Sequence, residues 1–292
     1  MIDAQGRHSV VQELTIIGRN EGANAYSVEA SLPGRADLLC ALNLRTLEHH
    51  LALTAQGMDP NIRALVPWWP QPVAVEALWD GRIDGRAVVG RLELRSARVA
   101  GNGLAGVMQV RGATDSLVLQ PKDVQVRGVA GVADLRLVGG GVRIADGAIT
   151  FEQVRAAAGR GMAQVDGQWH FAEGSADVTA VWSELALPAG ALHSGGMRLG
   201  LTRRLDGRQA LTVKLDNTGT AAGGKWDATL HLQGLGESSD TMQWTLSAEK
   251  LDVGIGQIEL DLDGLRAVAD AEDGRLTLRE MSMQQAGLLE GQ

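Results

Sequence analysis

Hydrophobic and polar residues alternate along most of this chain in short segments, and glycines separate those segments. In the stretch 123–171 the apolar positions of the alternation are Val124, Val126, Ala163, Val165, Trp169 and Phe171. A period of two gives a β-strand one apolar and one polar face, and these segments are too short for helices of useful length. The pattern therefore predicts an antiparallel sheet.

Asp-Gly dipeptides predict many of the turns between these segments. Glycine adopts positive φ without a steric penalty, so Asp-Gly between alternating apolar residues favours a tight hairpin. The dipeptide begins at positions 80, 84, 146, 166, 206, 263 and 273. The one at 166 fits the interior of a strand equally well, because the alternation runs through it in phase. The glycine triplet 139–141 is also expected to form a turn.

Strands are expected from the beginning of the chain, over 10–17, 26–32, 38–44 and 47–55, and further segments centre on pairs such as Leu117 and Leu119. One interruption occurs at 59–69, where an Asp-Pro pair precedes apolar residues at helical spacing. This predicts a short amphipathic helix. It either plugs an end of the sheet or lies at a membrane interface, and its single basic residue favours the plug. We therefore predict one continuous domain over 1–292, with this helix as the only possible seam.

Composition narrows the function classes. The chain has 292 residues, of which 45% are hydrophobic and only 3% aromatic, and its formal net charge is -8. An acidic chain without a dense basic stripe is not expected to bind nucleic acid. The single cysteine, Cys40, excludes an internal disulfide framework and a thiolate metal site, and its apolar neighbours predict a buried, inert thiol.

Residues with catalytic or metal-binding chemistry are scattered. The six histidines are not clustered, and the adjacent pair His49 and His50 would point to opposite faces of a strand. Asp261 and Asp263 share a strand face, which is simply the polar face opposite Leu260. The glycine-rich loops lack the lysine and the following helix of a phosphate-binding loop. We therefore expect no catalysis, no metal site and no cofactor.

A long sheet with one apolar face requires a cover for that face, because each exposed Leu or Val forfeits about 1.5–3 kcal/mol of burial. A second sheet would give a sandwich, whereas strong twist would roll the sheet into a trough that stays open for an apolar ligand. The candidate lining residues are Val124, Val126, Val165, Phe171, Leu199, Leu201, Leu211, Val213, Leu215, Leu230, Leu232, Trp244, Leu246, Ile258 and Leu260.

The run 141–151, in which a strand, an Asp-Gly turn and another strand follow one another, resembles the AsmA-like superfamily of repeating β-groove proteins, of the TamB, YhdP and YdbH type, and so does the segment 163–171. The resemblance lies in this repetition of strands and glycine turns, and it covers nearly the whole chain. It implies an all-β fold: a long, strongly twisted antiparallel β-meander forming an open, taco-like groove. It also implies a periplasmic protein of Gram-negative cells, anchored in the inner membrane, that conducts phospholipid acyl chains to the outer membrane in contact with other envelope proteins.

The chain departs from that family in lacking an N-terminal anchor, since no stretch approaches the ~18 apolar residues of a membrane span. About eighteen strands would extend only roughly 85 Å. We therefore expect a fragment of a longer lipid bridge, whose membrane attachment lies in parts missing from this chain. The alternative is a structural or adhesive β-protein, a solenoid or sandwich with a self-filled core. Irregular Asp-Gly spacing disfavours a solenoid, which would show parallel rungs of regular length.

Overall fold

The computed structural model describes residues 15–22, 24–32, 36–43, 45–56, 73–99, 102–128, 135–170, 173–187, 190–204, 206–221, 224–236, 242–255, 258–262, 264–272 and 275–283. These residues form nineteen strands, which belong to one antiparallel sheet, and no helix. The predicted all-β antiparallel meander is confirmed. The helix expected at 59–69 and the candidate lining residue Phe171 lie outside the described residues.

The chain divides into two compact units, 1–130 with 134–146, and 131–133 with 147–292. The strands of the first unit are β1 (Thr15–Gly22), β2 (Ala25–Leu32), β3 (Ala36–Asn43), β4 (Glu48–Gln56), β5 (Val73–Asp84), β6 (Ala87–Val99), β7 (Asn102–Ala113), β8 (Ser116–Arg127) and β9 (Leu135–Ala145). Each strand pairs antiparallel with the next one in the chain.

The second unit contains β10 (Ala148–Ala158), β11 (Gly161–His170), β12 (Ser175–Leu187), β13 (Gly190–Arg203), β14 (Gln209–Ala221), β15 (Gly224–Gly236), β16 (Met242–Ile255), β17 (Ile258–Asp261), β18 (Leu265–Glu272) and β19 (Arg275–Met283). The meander runs in chain order from β10 to β16, and β18 pairs with β19. All of these pairings are antiparallel, so the parallel rungs of the solenoid alternative are not found among the described strands.

Strands β17 and β18 both pair with β16, one after the other along its length. The break between them is bridged to β16 by two hydrogen bonds, from the N–H groups of Leu262 and Gly264 to the carbonyls of Leu251 and Ala248, each 3.0 Å long. Gly264 has φ of +72°. The backbone N–H of Leu265 also donates to the carbonyl of Leu262 at 3.3 Å, so Gly264 lies in a turn, as its dipeptide predicts. This turn joins β17 to β18 along the same side of β16.

Some glycines that were expected at turns lie inside strands instead. The triplet 139–141 is in the middle of β9, and the Asp-Gly pair at 80 is inside β5. The pair at 166 lies inside β11, where Asp166 has a local structural role. Its Oδ1 accepts the backbone N–H of Gln153, the bulged residue of β10, at 2.8 Å. That carboxylate thus accepts a hydrogen bond from a backbone N–H that the bulge removes from the regular hydrogen bonding between the two strands.

The bulges explain why the alternation changes phase along the chain. In β8 the apolar positions Leu117 and Leu119 are odd-numbered and Val124 and Val126 are even-numbered, and the register shift against β7 falls between them, at Lys122. A bulge inserts one extra residue, so positions of opposite parity face the same side of the sheet. The two apolar pairs, which read as separate segments in the sequence, therefore belong to one twelve-residue strand.

Gly106→Ala should destabilise the first unit by about 1–3 kcal/mol, because Gly106 has φ of +138° and a β carbon there would collide with the carbonyl oxygen of Asp123. Gly103→Ala, on the same strand, is the control, since its β carbon would lie 3.7 Å from Cβ of Arg127. Urea unfolding followed by circular dichroism measures both. Equal midpoints for the two variants would contradict the strand geometry around Gly106.

Candidate functional site

The register of the second unit aligns apolar side chains into rows that run across the strands, because directly opposed residues share one face. One row consists of Val178, Leu199, Val213, Leu232, Leu246 and Ala267. The row beside it consists of Ala176, Leu201, Leu211, Gly234, Trp244 and Ala269. A third consists of Val154, Val165, Ala180, Met197, Leu215, Leu230 and Ala248. We call these three rows the apolar face of the second unit.

Most of the candidate lining residues are therefore brought together. Ten of the fifteen lie in these rows: Val165, Leu199, Leu201, Leu211, Val213, Leu215, Leu230, Leu232, Trp244 and Leu246. Leu260 opposes Val253, which in turn opposes Trp226. Leu260 therefore lies on the same side of the sheet as the three rows, but nearer the other end of the strands. The backbone of Ile258, the first residue of β17, pairs with that of Ile255 in β16.

The exposure of these side chains shows how far the apolar face is covered. All ten residues are half-buried, and Leu260 is 46% exposed. Small residues between them are buried by their neighbours, as Ala228 and Ala248 are, with exposures of 1% and 3%. The larger side chains of the face are thus only partly covered by their neighbours.

The first unit repeats the arrangement. Trp79 opposes Leu51 on one side and Leu92 on the other. Val124 and Val126 lie on β8, opposite Gly106 and Leu104. Val124 is completely buried, with 0% exposure, so it contributes to packing and offers no surface to a ligand in this conformation.

Apolar residues of the first strands are much more exposed than those around β8. On the same side of β1 to β4 lie Ile16, Tyr26, Val28, Leu38 and Leu53, with exposures between 37% and 64%. The strands β1 to β4 therefore carry an apolar surface that the described residues of this unit leave uncovered.

Tryptophan rings on the apolar faces occupy the space over glycines of the same strand or of a neighbouring strand. A β carbon at Gly234 would lie 2.8 Å from Cζ3 of Trp244, and one at Gly219 would lie 2.9 Å from Cε2 of Trp226. Trp79 takes the space over Gly81 and Gly90 in the same way. A glycine gives a large ring room to lie flat on the sheet, which buries ring surface without a projecting side chain.

One polar pair is embedded in the apolar face. Trp182 donates its indole N–H to Oδ1 of Asn217 at 2.9 Å across Gly195, which lies between them in the register. Asn217 is 5% exposed and is the buried polar residue of the described core. A buried amide is costly without a partner, so this bond lets a polar group stay on an otherwise aliphatic surface.

The opposite face of the second unit is polar and crossed by ion pairs. A row beside the apolar rows consists of Asp166, Thr179, Arg198, Lys214, His231, Ser247 and Arg266. Arg198 binds Asp177 through two hydrogen bonds of 3.1 and 2.8 Å, and these bonds hold the pKa of Asp177 below its usual range. A hydrogen bond to Asp227 likewise raises the pKa of Lys250.

A cavity of about 920 Å³ opens at the ends of β14 to β17. Trp226, Val253 and Leu260 contribute its apolar part. Its polar part includes a cross-strand row of Asp227, Asp252 and Asp261. The Lys250 ammonium lies 2.5 Å from Asp227 and 3.5 Å from Asp252, so the row carries its own counter-charge. Within the described residues, no three His, Cys, Asp or Glu side chains are placed to hold a metal ion.

In the part of the chain that the structure describes, no helix is long and apolar enough to cross a bilayer. Comparison with protein-family models, curated proteins and solved structures found no match. The function of the site is therefore inferred from its own geometry.

Several residues of the apolar face were not among the candidates selected from the sequence. They are Val178, Ala180, Trp182 and Met197, which share the face with Leu199 and Leu215. Their period-two positions were visible in the sequence. The signal that was missing is the pairing of strands, which alone shows that the rows of β12 and β13 lie on the same side.

Trp182→Phe should destabilise the protein by about 1–3 kcal/mol, because it leaves the buried Asn217 carbonyl without its donor. Adding Asn217→Leu should recover part of that loss, since no unsatisfied polar atom then remains. Urea unfolding of the two single variants and the double variant measures the coupling. Strictly additive losses would show that the hydrogen bond contributes nothing.

Asp177→Asn should cost stability at neutral pH and progressively less in acid. The folded-state pKa of Asp177 lies below its unfolded value, so its contribution is full above the unfolded value and vanishes as pH falls through the folded one. Thermal unfolding of both proteins between neutral pH and about pH 3 measures the difference. A difference that stays constant as pH falls would rule out the Arg198 pair as its cause.

Proposed function

We propose that the apolar face of the second unit binds phospholipid acyl chains and that the protein is a non-enzymatic segment of a lipid-conducting β-groove of the AsmA-like type. In this proposal the full-length protein is anchored in the inner membrane, lies in the periplasm and passes phospholipid towards the outer membrane. Other envelope proteins would complete the path.

The observation that carries the proposal is the continuity of the half-buried apolar rows. The row that contains Leu199 and the row that contains Leu201 each cross β12, β13, β14, β15, β16 and β18 without a charged residue. From β12 to β16 alone they extend roughly 19 Å at the usual spacing between strands. An acyl chain covers about half of the hydrocarbon thickness of a bilayer, roughly 15 Å. One row is long enough to accommodate a whole chain.

The energetics favour an apolar occupant. Apolar surface removed from water contributes about 25 cal/mol per Å², and the leucines on this face are only partly buried. An acyl chain laid along a row would bury their remaining exposed surface and its own methylenes together. A linear chain also suits a surface made of Leu, Val and flat indole rings, which offers few polar groups to leave unsatisfied.

Val213→Asp tests the lining directly, because a carboxylate in the middle of a row is costly to bury beneath an acyl chain. Thr212→Asp is the matched control: it adds the same charge on the adjacent residue, whose side chain points to the polar face and is exposed. Lipid extraction and mass spectrometry of the purified proteins should find phospholipid on the wild type and on Thr212→Asp, and at least about tenfold less on Val213→Asp.

Circular dichroism of both variants establishes that the sheet is intact. Equal lipid content in Val213→Asp and Thr212→Asp would contradict the lining assignment. A wild-type protein that carries no lipid after purification from lipid-rich membranes, and takes up none from vesicles, would contradict the function and favour a structural β-protein with a self-filled core.

A further inference from the structure

The turn between β13 and β14 is strongly cationic. It contains Arg203, Arg204 and Arg208 within six positions. The two strands with their turn, residues 190–221, hold five basic and two acidic residues, in a chain whose net charge is -8. The local charge is thus opposite in sign to that of the whole protein.

The register places Arg203, the last residue of β13, and the turn that follows it beside the Leu201 row, at the edge of the apolar face. Leu199, Leu201 and Arg203 alternate along β13 and so point to the same side of the sheet, and Arg203 opposes Gln209, the first residue of β14. The guanidinium of Arg203 therefore continues the apolar face where its leucines end. A ligand lying along the Leu201 row would reach a positive charge at the edge of the sheet.

The arginines of the turn lack the carboxylate partner that Arg198, on the same hairpin, has. Arg198, five residues before Arg203, binds Asp177 with two hydrogen bonds. None of the three arginines of the turn forms an ion pair with a described side chain. The acid within the turn, Asp206, accepts the backbone N–H of Arg208 with its Oδ1 at 3.0 Å.

The turn also sets two like charges against each other. The backbone N–H of Arg204 donates to the carbonyl of Arg208 at 2.8 Å, so these residues face each other across the hairpin. Like charges in directly opposed positions are destabilising. All three arginines are exposed. An anion bound between them would remove the repulsion, and guanidinium groups bind phosphate oxygens in bidentate geometry.

We infer that the Arg203, Arg204 and Arg208 turn binds the headgroup phosphate of a phospholipid whose acyl chains lie on the apolar face. This inference rests on the proposed function and extends it: it names the residues that recognise the phosphate and thereby favour phospholipids over neutral lipids. The apolar rows would hold chains of any diacyl lipid, and the arginine turn would supply the selection.

The experiment compares two lipids with identical brominated acyl chains, phosphatidylglycerol and diacylglycerol, presented to the full chain in nonionic detergent micelles. Bromine quenches the fluorescence of the tryptophans on the apolar face, so quenching reports chain binding for both lipids. The wild type should bind phosphatidylglycerol on the order of tenfold more tightly. In the Arg203→Gln, Arg204→Gln, Arg208→Gln triple variant the preference should fall close to one, with diacylglycerol binding unchanged.

A second triple variant controls for net charge. Arg45→Gln, Arg98→Gln and Arg160→Gln remove three arginines that lie apart from one another and from the turn in the chain, and should leave the preference intact. An unchanged preference in the first variant would overturn the inference. A wild type without preference would overturn it as well, with the proposed function intact.

Two further outcomes separate the sources of phosphate and distinguish this inference from the proposed function. Inorganic phosphate that displaces brominated phosphatidylglycerol at equal molar affinity would show an anion site independent of lipid, and would overturn the headgroup assignment. A wild type that is quenched by neither brominated lipid would overturn the proposed function itself.

Discussion

The structure depends on one constraint: side chains of like polarity must stay on the same face of the sheet from strand to strand. Opposed residues in an antiparallel pair share a face, so a slip of one position would turn a whole apolar row towards water. The second unit keeps its rows aligned from β10 to β16, and the polar row of Arg198 and Lys214 runs parallel to them. A continuous apolar surface is the direct result.

Bulges are what allow long strands to keep this alignment. In β16 the apolar positions are 244, 246 and 248 before the bulge at Glu249, and 251 and 253 after it. The apolar positions change from even to odd numbers where the bulge inserts one extra residue. The apolar side chains of both halves of the strand therefore point to the same face of the sheet. Bulges also increase the local twist, which bends a sheet around its apolar side.

The two kinds of polar group have different roles in this architecture. Exposed pairs such as Arg198 with Asp177 lie on the polar face, where screening keeps their contribution small. The Trp182–Asn217 bond lies on the apolar face, where an unpaired amide would be costly. The arginines of the β13–β14 turn belong to neither group, since they lie at the edge of the apolar face without a described ion-pair partner.

The sequence by itself determined the fold class and the composition of each face. Period-two alternation identified strands, and the fifteen candidate lining residues were chosen from it; ten of them lie in the three apolar rows. Local sequence could not distinguish glycines in turns from glycines within strands, as at 139–141 and 81, because positive φ and close backbone approach occur in both.

Only the tertiary structure decided which rows adjoin, because pairing depends on residues far apart in the chain. It joined the segments around Leu117 and Val124 into one strand and brought Trp182 to Asn217, 35 positions away. It also placed Arg203 beside the Leu201 row, a relation that the run of residues alone does not reveal. Cross-strand hydrogen bonds, which carry no local signal, set all three.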